Sequence, residues 1–417
     1  MPIDLARFPR ALPSIPPDDP DLRDALHRVL DRVDVRRVIA QVRAEDAHTI
    51  EQQLLLASTP APPFQEEERG RLFARLLLEA GTDAPRVDEV GNVIAWLGGE
   101  GARPLVVSAH LDTVFPVSQE IQFHKDGDRW IGPGICDDAR GLTAVLALTR
   151  ALVRLDYPPD IPLLLVGTVG EEGVGNLRGV RHLFGAGGAG ENARGFISLD
   201  GAGVNRIIAS GVGSRRFRAV VEGPGGHSWV DWGRVNPIHL LARAVAAFDD
   251  LDLPAGTTLN VGRIEGGTSV NAIPARAWME YEVRSESEGH LALVEGAMHG
   301  ALTSVVQDGN GSARPDEEAV LEVDRIGDRP AGTTSPDEPL VRAATQATRA
   351  LVDRAELAAS STDANLPMAL GIPAITLGAG GEAGEAHTPR EWYRNEKGPE
   401  GVLRALFTLL ALEQIDP

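Results

Sequence analysis

The sequence contains little cysteine and little basic charge, and each shortage excludes a class of function. Cys136 is the only cysteine in 417 residues, so an internal disulfide and a cysteine-based zinc cluster are excluded. Lysine and arginine number 40 against 60 aspartate and glutamate residues, a formal net charge of −20. Nucleic acids and anionic membranes bind clustered basic residues, so neither is an expected partner. A metal bound by this chain must be held by histidine, aspartate and glutamate.

Long apolar runs are also missing from the sequence. No segment approaches the roughly 20 apolar residues of a membrane-spanning helix. The N-terminus has six prolines in its first 20 residues and no apolar core of signal-peptide length. We therefore expect a cytoplasmic protein with a loose proline-rich tail. Apolar residues make up 43% and charged residues 24% of the chain, which is typical of a globular protein of two or three domains.

Short apolar runs alternate with helical periodicity along much of the chain. This alternation predicts an α/β fold in which helices sandwich a mixed, mainly parallel sheet. The predicted strands are 105–109, 161–169, 196–199 and 374–377, and the predicted helices are 21–57, 66–80, 142–155, 173–184, 338–355 and 401–413.

A central block of the sequence has a different pattern. It contains two alternating, half-exposed strands and two amphipathic helices, which indicates an α+β domain inserted into the larger one. The predicted elements of this block are strands at 217–221 and 278–283, helices at 237–251 and 288–305, and a loop at 307–318. We therefore divide the chain into a tail and N-terminal helix (1–34), a larger domain (35–213 plus 327–417) and an inserted domain (214–326).

Polar side chains follow the predicted strands at their carboxyl ends. They are His110 and Asp112, the pair Glu171-Glu172, Asp200, and, after a glycine-rich loop, His387. In open α/β sheets, ligands bind beyond the carboxyl ends of the strands. Two histidines and several carboxylates are the donor set of a zinc-type site with nitrogen and oxygen ligands.

The spacing of these residues suggests separate roles for neighbouring side chains. His110 and Asp112 lie on one face of an extended segment, so we expect the Asp112 carboxylate to accept a hydrogen bond from the second ring nitrogen. Glu171 and Glu172 point in different directions, so one can bind metal while the other transfers protons. Acidic pairs such as Asp249-Asp250 occur elsewhere in the chain, and only the strand-end position distinguishes the candidate site.

Six short motifs in a fixed order carry a family resemblance. They are Ser108-Ala-His110-Leu-Asp112, Gly132-Pro-Gly-Ile-Cys-Asp137-Asp138, Gly170-Glu171-Glu172-Gly173, Leu199-Asp200-Gly201, Gly225-Gly226-His227-Ser228 and Glu385-Ala-His387-Thr-Pro389. Over about residues 49–413 the set resembles the dinuclear zinc exopeptidases and amidohydrolases. This family includes glutamate carboxypeptidase, tripeptide aminopeptidase, aminoacylase, acetylornithine deacetylase and succinyl-diaminopimelate desuccinylase.

The resemblance implies two divalent metal ions, with Zn²⁺ expected and Co²⁺ or Mn²⁺ as alternatives. It assigns the ligands residue by residue: His110 and Asp200 to one ion, Glu172 and His387 to the other, and Asp137 as the bridge between them. It also implies that Asp112 orients His110, that Glu171 is the general base, and that the peptide bond between Asp137 and Asp138 is cis.

In the inserted domain the resemblance assigns three further residues. His227 would act in catalysis from a lid, often across a dimer, while Asn271 and Arg284 would bind the carboxylate of the substrate. The larger domain would then be catalytic and metal-binding, and residues 214–326 would form a lid and the contact of a homodimer. Many relatives have a lysine shortly after the bridging aspartate, whereas this chain has Arg140, which favours tripeptidase-like members over deacylases.

These residues together predict an enzyme that hydrolyses amide bonds in small peptides. The expected type is a tripeptidase-like or carboxypeptidase-like exopeptidase, and the expected substrate carries a free carboxylate. One alternative is an N-acyl-amino-acid deacylase, and another is a non-catalytic binding protein of the same fold. The complete ligand set and Glu171 favour an enzyme.

Overall fold

The fold is taken from a computed structural model, which describes residues 14–157, 162–311, 313–314 and 317–415. The described residues form two compact units. The smaller unit is Val212–Ala331, close to the predicted insertion at 214–326, and the larger unit comprises the chain before and after it. No helix of the described residues has the length and apolar character needed to cross a membrane.

The helices and strands are numbered here along the chain. The helices are α1 (Pro20–Leu30), α2 (Val33–Ala44), α3 (Asp46–Ala57), α4 (Glu67–Ala80), α5 (Ala139–Arg154), α6 (Arg178–Leu183), α7 (Pro237–Asp249), α8 (Glu288–Asn310), α9 (Pro339–Arg349), α10 (Asn365–Ala369) and α11 (Gly398–Leu412). The strands are β1 (Arg86–Val87), β2 (Val93–Leu97), β3 (Leu105–His110), β4 (His124–Asp126), β5 (Arg129–Ile131), β6 (Leu163–Thr168), β7 (Gly195–Leu199), β8 (Arg206–Gly211), β9 (Gly213–Glu222), β10 (Gly226–His227), β11 (Thr257–Gly266), β12 (Ala272–Ile273), β13 (Arg276–Ser285), β14 (Val320–Arg329), β15 (Gly332–Thr333), β16 (Glu356–Ser360), β17 (Ala374–Leu377), β18 (Glu382–Gly384) and β19 (Trp392–Arg394).

The larger unit is built on a nine-stranded mixed sheet. Its strand order is β1-β2-β6-β3-β7-β17-β8-β15, with β16 paired to β8. The four central strands β6, β3, β7 and β17 are parallel, so their carboxyl ends meet at one edge of the sheet. The predicted fold class is confirmed in this unit.

Helices cover both faces of this sheet because its strands are apolar on both sides. Val107 and Ile197 contribute to the core on one face, which includes α5, α9 and α11. Their neighbours Val106 and Phe196 contribute to the core on the other face, which includes α6. Alternate residues of a strand point to opposite faces, so continuous apolar runs produce a sheet buried between two helical layers.

A second sheet of the larger unit joins two distant parts of the chain. It has four antiparallel strands in the order β18-β19-β5-β4, and the four strands have three residues each. The pairing of β5 with β19 places Ile131 opposite Trp392. The loop that follows β5 and the loop that precedes β19 are therefore neighbours, and these loops carry Asp137 and His387.

The smaller unit is an antiparallel sheet with two helices. The strand order is β11-β13-β9-β14, and β10 and β12 form a separate two-stranded pair. Alternate residues of β13 are buried, and Met279, Tyr281 and Val283 pack in a core with residues of α7 and α8.

The N-terminal region differs from the prediction of a loose tail and one long helix. Arg32 has an extended backbone with ψ of 141°, and the predicted helix 21–57 is three helices, α1 to α3. Asp19 caps α1 and forms an ion pair with Arg342 of α9. The carbonyl groups of Pro16 and Pro17 accept hydrogen bonds from the Arg349 side chain. Residues 14–19 are therefore bound to the larger unit, while residues 1–13 lie outside the described residues.

Three further predictions were wrong in their bounds, and one of them is the predicted helix 338–355, which ends at Arg349 as α9. Helix α8 continues to Asn310, so the predicted loop 307–318 begins later; within it, residues 312, 315 and 316 lie outside the described residues. The predicted helix 173–184 is a short 3₁₀ turn at Gly173–Gly175 followed by α6. Asn176 and Leu177 have φ of 51° and 60°, a left-handed backbone that interrupts a helix.

Candidate metal centre and active site

The carboxyl ends of the central strands bring the predicted ligands together. Strand β3 ends at His110, Asp200 directly follows β7, and Glu172 lies in the turn after β6. The amide of Leu111 donates to the carbonyl of Thr168 at 2.7 Å, which aligns the ends of β3 and β6. The residues come from segments up to 90 positions apart, and the parallel register of the strands makes them neighbours.

The distances between these side chains are those of a metal-binding cluster. His110, Asp137 and Glu172 each offer one ligand atom, and these atoms lie within 4.8 Å of one another. The ligand atoms of His110, Asp138 and Asp200 also lie within 4.8 Å of one another. The structure therefore brings four of the five predicted ligands into two groups that share His110.

The fifth predicted ligand, His387, completes the cluster from the loop between β18 and β19. Its Nε2 lies 2.9 Å from Glu172 Oε1 and 3.2 Å from Asp137 Oδ2. The other oxygen of Asp137 lies 2.9 Å from Nε2 of His110. Asp137 thus stands between the two histidines with one oxygen toward each, which is the arrangement expected of a bridging carboxylate.

Asp138, the neighbour of the predicted bridge, has a structural role that the sequence did not indicate. Its peptide bond with Asp137 is cis, as the resemblance implies. Its buried carboxylate accepts from the amides of His110 and Gly141 at 3.1 and 3.0 Å and caps α5. Because both oxygens bind backbone amides, Asp138 fixes the positions of two segments of the site.

His110 is oriented by Asp112, though not through the predicted atom. The Nδ1 atom of His110 lies 3.0 Å from the backbone carbonyl of Asp112 and 3.7 Å from its carboxylate. A carbonyl accepts only, so Nδ1 carries a proton and Nε2 faces Asp137. The ring orientation is the predicted one, and the main chain provides the closest acceptor.

The Asp112 carboxylate instead holds the turn that carries the adjacent glutamates. It is fully buried and accepts from the amides of Glu171 and Glu172 at 2.9 and 2.7 Å. Burial favours the neutral form of Asp112, but the nearby His110 and these two backbone bonds outweigh it and lower the pKa of Asp112. One residue therefore connects the position of His110 to that of the Glu171-Glu172 pair.

The cluster retains protons because its carboxylates and histidines crowd together. Burial, followed by the charge of Asp137, raises the pKa of Asp200 to about 7. Hydrogen bonds to Asp137 and Glu172 raise the pKa of His387 to about 10. Burial lowers the pKa of His110, but Asp112 and Asp137 outweigh it and the net pKa is well above the usual value. Such protons are the ones that divalent cations displace, so the donor set fits a cation pair.

Arg140 stands where many relatives have a lysine. It holds the segments that precede β18 and follow β19, the two strands whose connecting loop carries His387. Its side chain is fully buried in the first turn of α5. Its Nε donates to the carbonyl of Ala379 at 2.8 Å and its Nη2 to the carbonyl of Gly398 at 2.7 Å. A planar guanidinium can bind two separate carbonyls at once, which a lysine ammonium does less specifically.

In the smaller unit, His227 and Asn271 lie side by side. Strand β10 pairs with β12, and the amide of Ser228 donates to the carbonyl of Asn271 at 3.1 Å. The Nδ1 atom of His227 accepts from the amides of Trp229 and Val230 at 3.2 and 3.4 Å. An accepting Nδ1 assigns the proton of the neutral ring to Nε2.

Arg284 lies apart from these two residues, at the other end of β13. Its partners across the sheet are Thr258 and Ser214, whereas the β10–β12 pair lies near the end at Arg276. Arg284 lies eight positions along the strand from Arg276, a distance of about 26 Å. The guanidinium binds Glu282 through Nε and Nη2 at 2.8 and 3.1 Å.

Exposed apolar side chains adjoin His227. Trp229 and Trp232 are 85% and 86% exposed, and Val230 and Val270 are also exposed. The loop is nonetheless held in place, since Asp231 accepts from the amide of His227 at 2.7 Å. The sequence indicated His227 but not this apolar surface beside it.

Comparison with known proteins identifies a family for most of the chain. Residues 106–410 match the model of Peptidase family M20/M25/M40.

A Peptidase M20 domain-containing protein of Schizosaccharomyces pombe is 28% identical over 201 residues, 46% of this chain and 48% of that protein. A probable carboxypeptidase of Aspergillus oryzae is 27% identical over 268 residues, 59% of this chain and 60% of that protein. Succinyl-diaminopimelate desuccinylase of Paracoccus denitrificans is 30% identical over 233 residues, 51% and 61% of the respective chains. The chain thus spans about half to three fifths of the length of these relatives.

Solved structures show the same fold over nearly the whole chain. Aminopeptidase PepT of Bacillus cereus has a TM-score of 0.71 at 22% identity, covering 88% of this chain and 98% of that one. The YXEP protein of Bacillus subtilis, described as a dinuclear metal binding peptidase from the M20 family, has a TM-score of 0.64 at 19% identity, covering 90% and 99%. These structures confirm the fold class, and the family match over residues 106–410 confirms the family that the motifs resemble.

The raised pKa of His387 predicts how the chelator-treated protein responds to pH. The folded value is about 10 against 6.5 for the free side chain, so the protonated ring stabilises the fold fully below pH 6.5. This contribution should be lost as the pH rises through 10. Denaturant unfolding of the chelated protein between pH 6 and 10 should show a fall in stability that is smaller in His387→Gln. Equal slopes in the two proteins would contradict the assignment, and added zinc should flatten the wild-type curve.

Proposed function

The chain belongs to Peptidase family M20/M25/M40 and is a hydrolase of that family, and from this premise we propose that it is a metal-dependent exopeptidase of small peptides. The observation that carries the proposal is the convergence of His110, Asp137 and Glu172 within 4.8 Å at the sheet edge. The similarity to a probable carboxypeptidase and to an aminopeptidase supports peptide hydrolysis.

The proposed metal pair is Zn²⁺, with Co²⁺ or Mn²⁺ as alternatives. His110 and Asp200 would bind one ion, Glu172 and His387 the other, and Asp137 would bridge the two. Carboxylate oxygens and imidazole nitrogens suit zinc, and the protons held by Asp200 and His387 are displaceable by cations. When bound, such ions lower the pKa of a coordinated water toward neutrality and polarise a carbonyl oxygen.

Glu171 is the proposed general base. It is 5% exposed and lies in the turn whose amides bind Asp112. Glu171 accepts a proton from the attacking water as the carbon–oxygen bond forms. It then delivers that proton to the leaving amine as the carbon–nitrogen bond breaks, which leaves a carboxylic acid and an amine. Its neighbour Glu172 binds metal instead, because the two side chains diverge from consecutive backbone positions.

His227 is proposed to stabilise the oxygen of the scissile carbonyl. Because its Nδ1 accepts from two backbone amides, its Nε2 carries the proton and can donate a hydrogen bond. Donation by a fixed neutral ring to an oxygen that gains negative charge is the action of an oxyanion hole. Asn271, beside His227, and Arg284 are proposed to bind the free carboxylate of the substrate.

We also propose a homodimer formed through the smaller unit. His227 and Asn271 lie near one end of β13 and Arg284 at the other, with about 26 Å of strand between Arg276 and Arg284. A tripeptide is too short to contact both ends in one chain. A site that takes Arg284 from one copy and His227 with Asn271 from a second copy resolves this separation.

The function is tested with matched substrates. Tripeptides, dipeptides and N-acetyl amino acids should be assayed with and without zinc, together with C-terminally amidated forms of the same peptides. We expect zinc-dependent hydrolysis of free-carboxylate peptides, slow hydrolysis of N-acetyl amino acids, and poor hydrolysis of amidated peptides. Hydrolysis restricted to N-acetyl amino acids would favour the deacylase alternative. No hydrolysis by the metal-loaded protein would favour the binding-protein alternative.

The two adjacent glutamates should respond differently to the same change. Glu171→Gln should keep both metal ions and lose activity by at least about 10⁴-fold, since one base serves two proton transfers. Glu172→Gln should lose metal, because a neutral amide is a poorer ligand, and excess zinc or cobalt should restore part of its activity. Metal analysis of the purified variants decides between the roles. A metal-depleted, zinc-rescued Glu171→Gln beside a metal-replete Glu172→Gln would reverse the assignment.

Mixing inactive chains tests the dimer. Equal amounts of His227→Ala and Glu171→Ala chains should recover about one quarter of wild-type activity after subunit exchange. Half of the random dimers are then mixed, and each contains one intact site. Glu171→Ala mixed with Glu172→Ala is the control and should recover nothing. If exchange is verified and the first mixture stays inactive, His227 does not act across a dimer.

A further inference from the structure

A single buried carboxylate holds the loop that presents Asp137. Glu391 is 1% exposed. Its Oε1 accepts from the amides of Cys136 and Asp137 at 2.8 and 2.9 Å, and its Oε2 accepts from the amide of Gly134 at 3.1 Å. All the partners donate, so Glu391 acts as an acceptor of three backbone hydrogen bonds.

The Asp137 loop depends on these bonds because it lacks regular structure of its own. It runs from the end of β5 to the start of α5 and turns at Gly134, where φ is 69°. Buried amides without a helix or sheet partner must find another acceptor. The carbonyl of Glu391 provides a further one, accepting from the amide of Gly132 at 2.9 Å. Side chain and main chain of one residue therefore bind four amides of the same loop.

Glu391 also belongs to the short segment that carries His387. The amide of Glu391 donates to the carbonyl of Thr388 at 3.0 Å, and that of Thr388 donates to Glu385 at 3.2 Å. These two turns connect His387 to Glu391 within four residues. A displacement of Glu391 would consequently change the distance between His387 and Asp137, whose facing atoms are 3.2 Å apart.

We propose that Glu391 is a positioning residue that sets the Asp137 carboxylate relative to His387 and thereby determines how tightly the site binds its metal ions. This inference rests on the proposed ligand roles of Asp137 and His387. Neither group of ligand atoms described above includes Glu391, and both of its oxygens accept from backbone amides. Residues that orient metal ligands typically change metal affinity by about 10- to 100-fold when replaced.

The chain offers a matched control in Asp88. Its Oδ1 accepts from the amides of Val90, Gly91 and Asn92 at 3.0, 2.9 and 2.9 Å in the turn between β1 and β2. It is a carboxylate that binds three backbone amides of one turn, as Glu391 does. None of those amides is adjacent in sequence to a proposed ligand, so its loss should affect stability without affecting the metal site.

The test compares Glu391→Gln with Asp88→Asn in the full-length protein. Glutamine keeps one oxygen acceptor, and its NH₂ group would face an amide donor. We expect both variants to unfold at lower denaturant concentration than the wild type. Only Glu391→Gln should bind Co²⁺ at least tenfold more weakly and show altered visible absorption of the bound Co²⁺, which reports ligand geometry. Wild-type affinity and spectrum in Glu391→Gln would overturn the inference.

Two further variants, Glu391→Asp and Asp137→Asn, complete the test. If Glu391→Gln does not fold, Glu391→Asp keeps the charge and shortens its reach by one methylene, and it should show the same weakened, spectrally altered Co²⁺ binding. Wild-type binding by Glu391→Asp would then overturn the inference. Asp137→Asn should lose metal in any case. Retention of both ions by Asp137→Asn would overturn the proposed ligand set, and this inference with it, which separates that failure from a failure at Glu391 alone.

Discussion

Buried carboxylates that accept backbone amide protons hold the candidate metal site in place. Asp112, Asp138 and Glu391 each bind amides of a turn or loop that carries a proposed ligand or the proposed base. Loop amides have no partners in a helix or sheet ladder, so a buried carboxyl oxygen gives them one. The ligand side chains consequently project from a backbone whose position is set by the protein before any ion binds.

These acidic groups crowd together in a buried region, and burial raises the pKa of Asp138 well above its usual value and that of Glu391 to about 7. Arg69 is fully buried. Its guanidinium donates to the backbone carbonyls of Thr59 and Leu111 rather than to a carboxylate. Burial lowers its pKa to about 10, while the charges of Asp112, Asp138 and Glu391 act in the opposite direction. The remaining negative charge raises the pKa of Asp200 and keeps a proton on His387. Divalent cations offset this charge more fully than protons do, which is the electrostatic argument for a metal pair.

In the smaller unit, His227 and Arg284 are proposed hydrogen-bond donors whose positions are set by neighbouring residues. His227 has its proton assigned to Nε2 by two backbone amides, and its loop is braced through Asp231 and Arg234. Arg284 forms an ion pair with Glu282 at the far end of β13. Fixed donors of this kind can stabilise an oxygen that gains charge during hydrolysis and can bind a substrate carboxylate. Their separation within one chain favours the proposed homodimer.

Several features of the fold and site were readable from local sequence. Continuous apolar runs such as 105–109 identified strands buried on both faces, and His110 and Asp200 were recognisable because polar residues directly follow such strands. Other features were not readable, since their partners are distant in the chain. The strands β5 and β19 contain strand-favouring residues such as Trp130 and Tyr393, but at three residues each they are too short to predict, and they pair with each other across the chain.

By itself, the sequence determined the types of the ligands, the order of the elements and the family, because these follow from side-chain chemistry and short-range periodicity. Only the tertiary structure decided that the main chain of Asp112 orients His110, that Asp138 and Glu391 accept hydrogen bonds from backbone amides, and that Arg284 is separated from Asn271. Glu391 meets the amide of Asp137 across 254 positions of sequence. A hydrogen bond of that kind depends on where two loops come to lie in space, and local residue patterns carry no information about that placement.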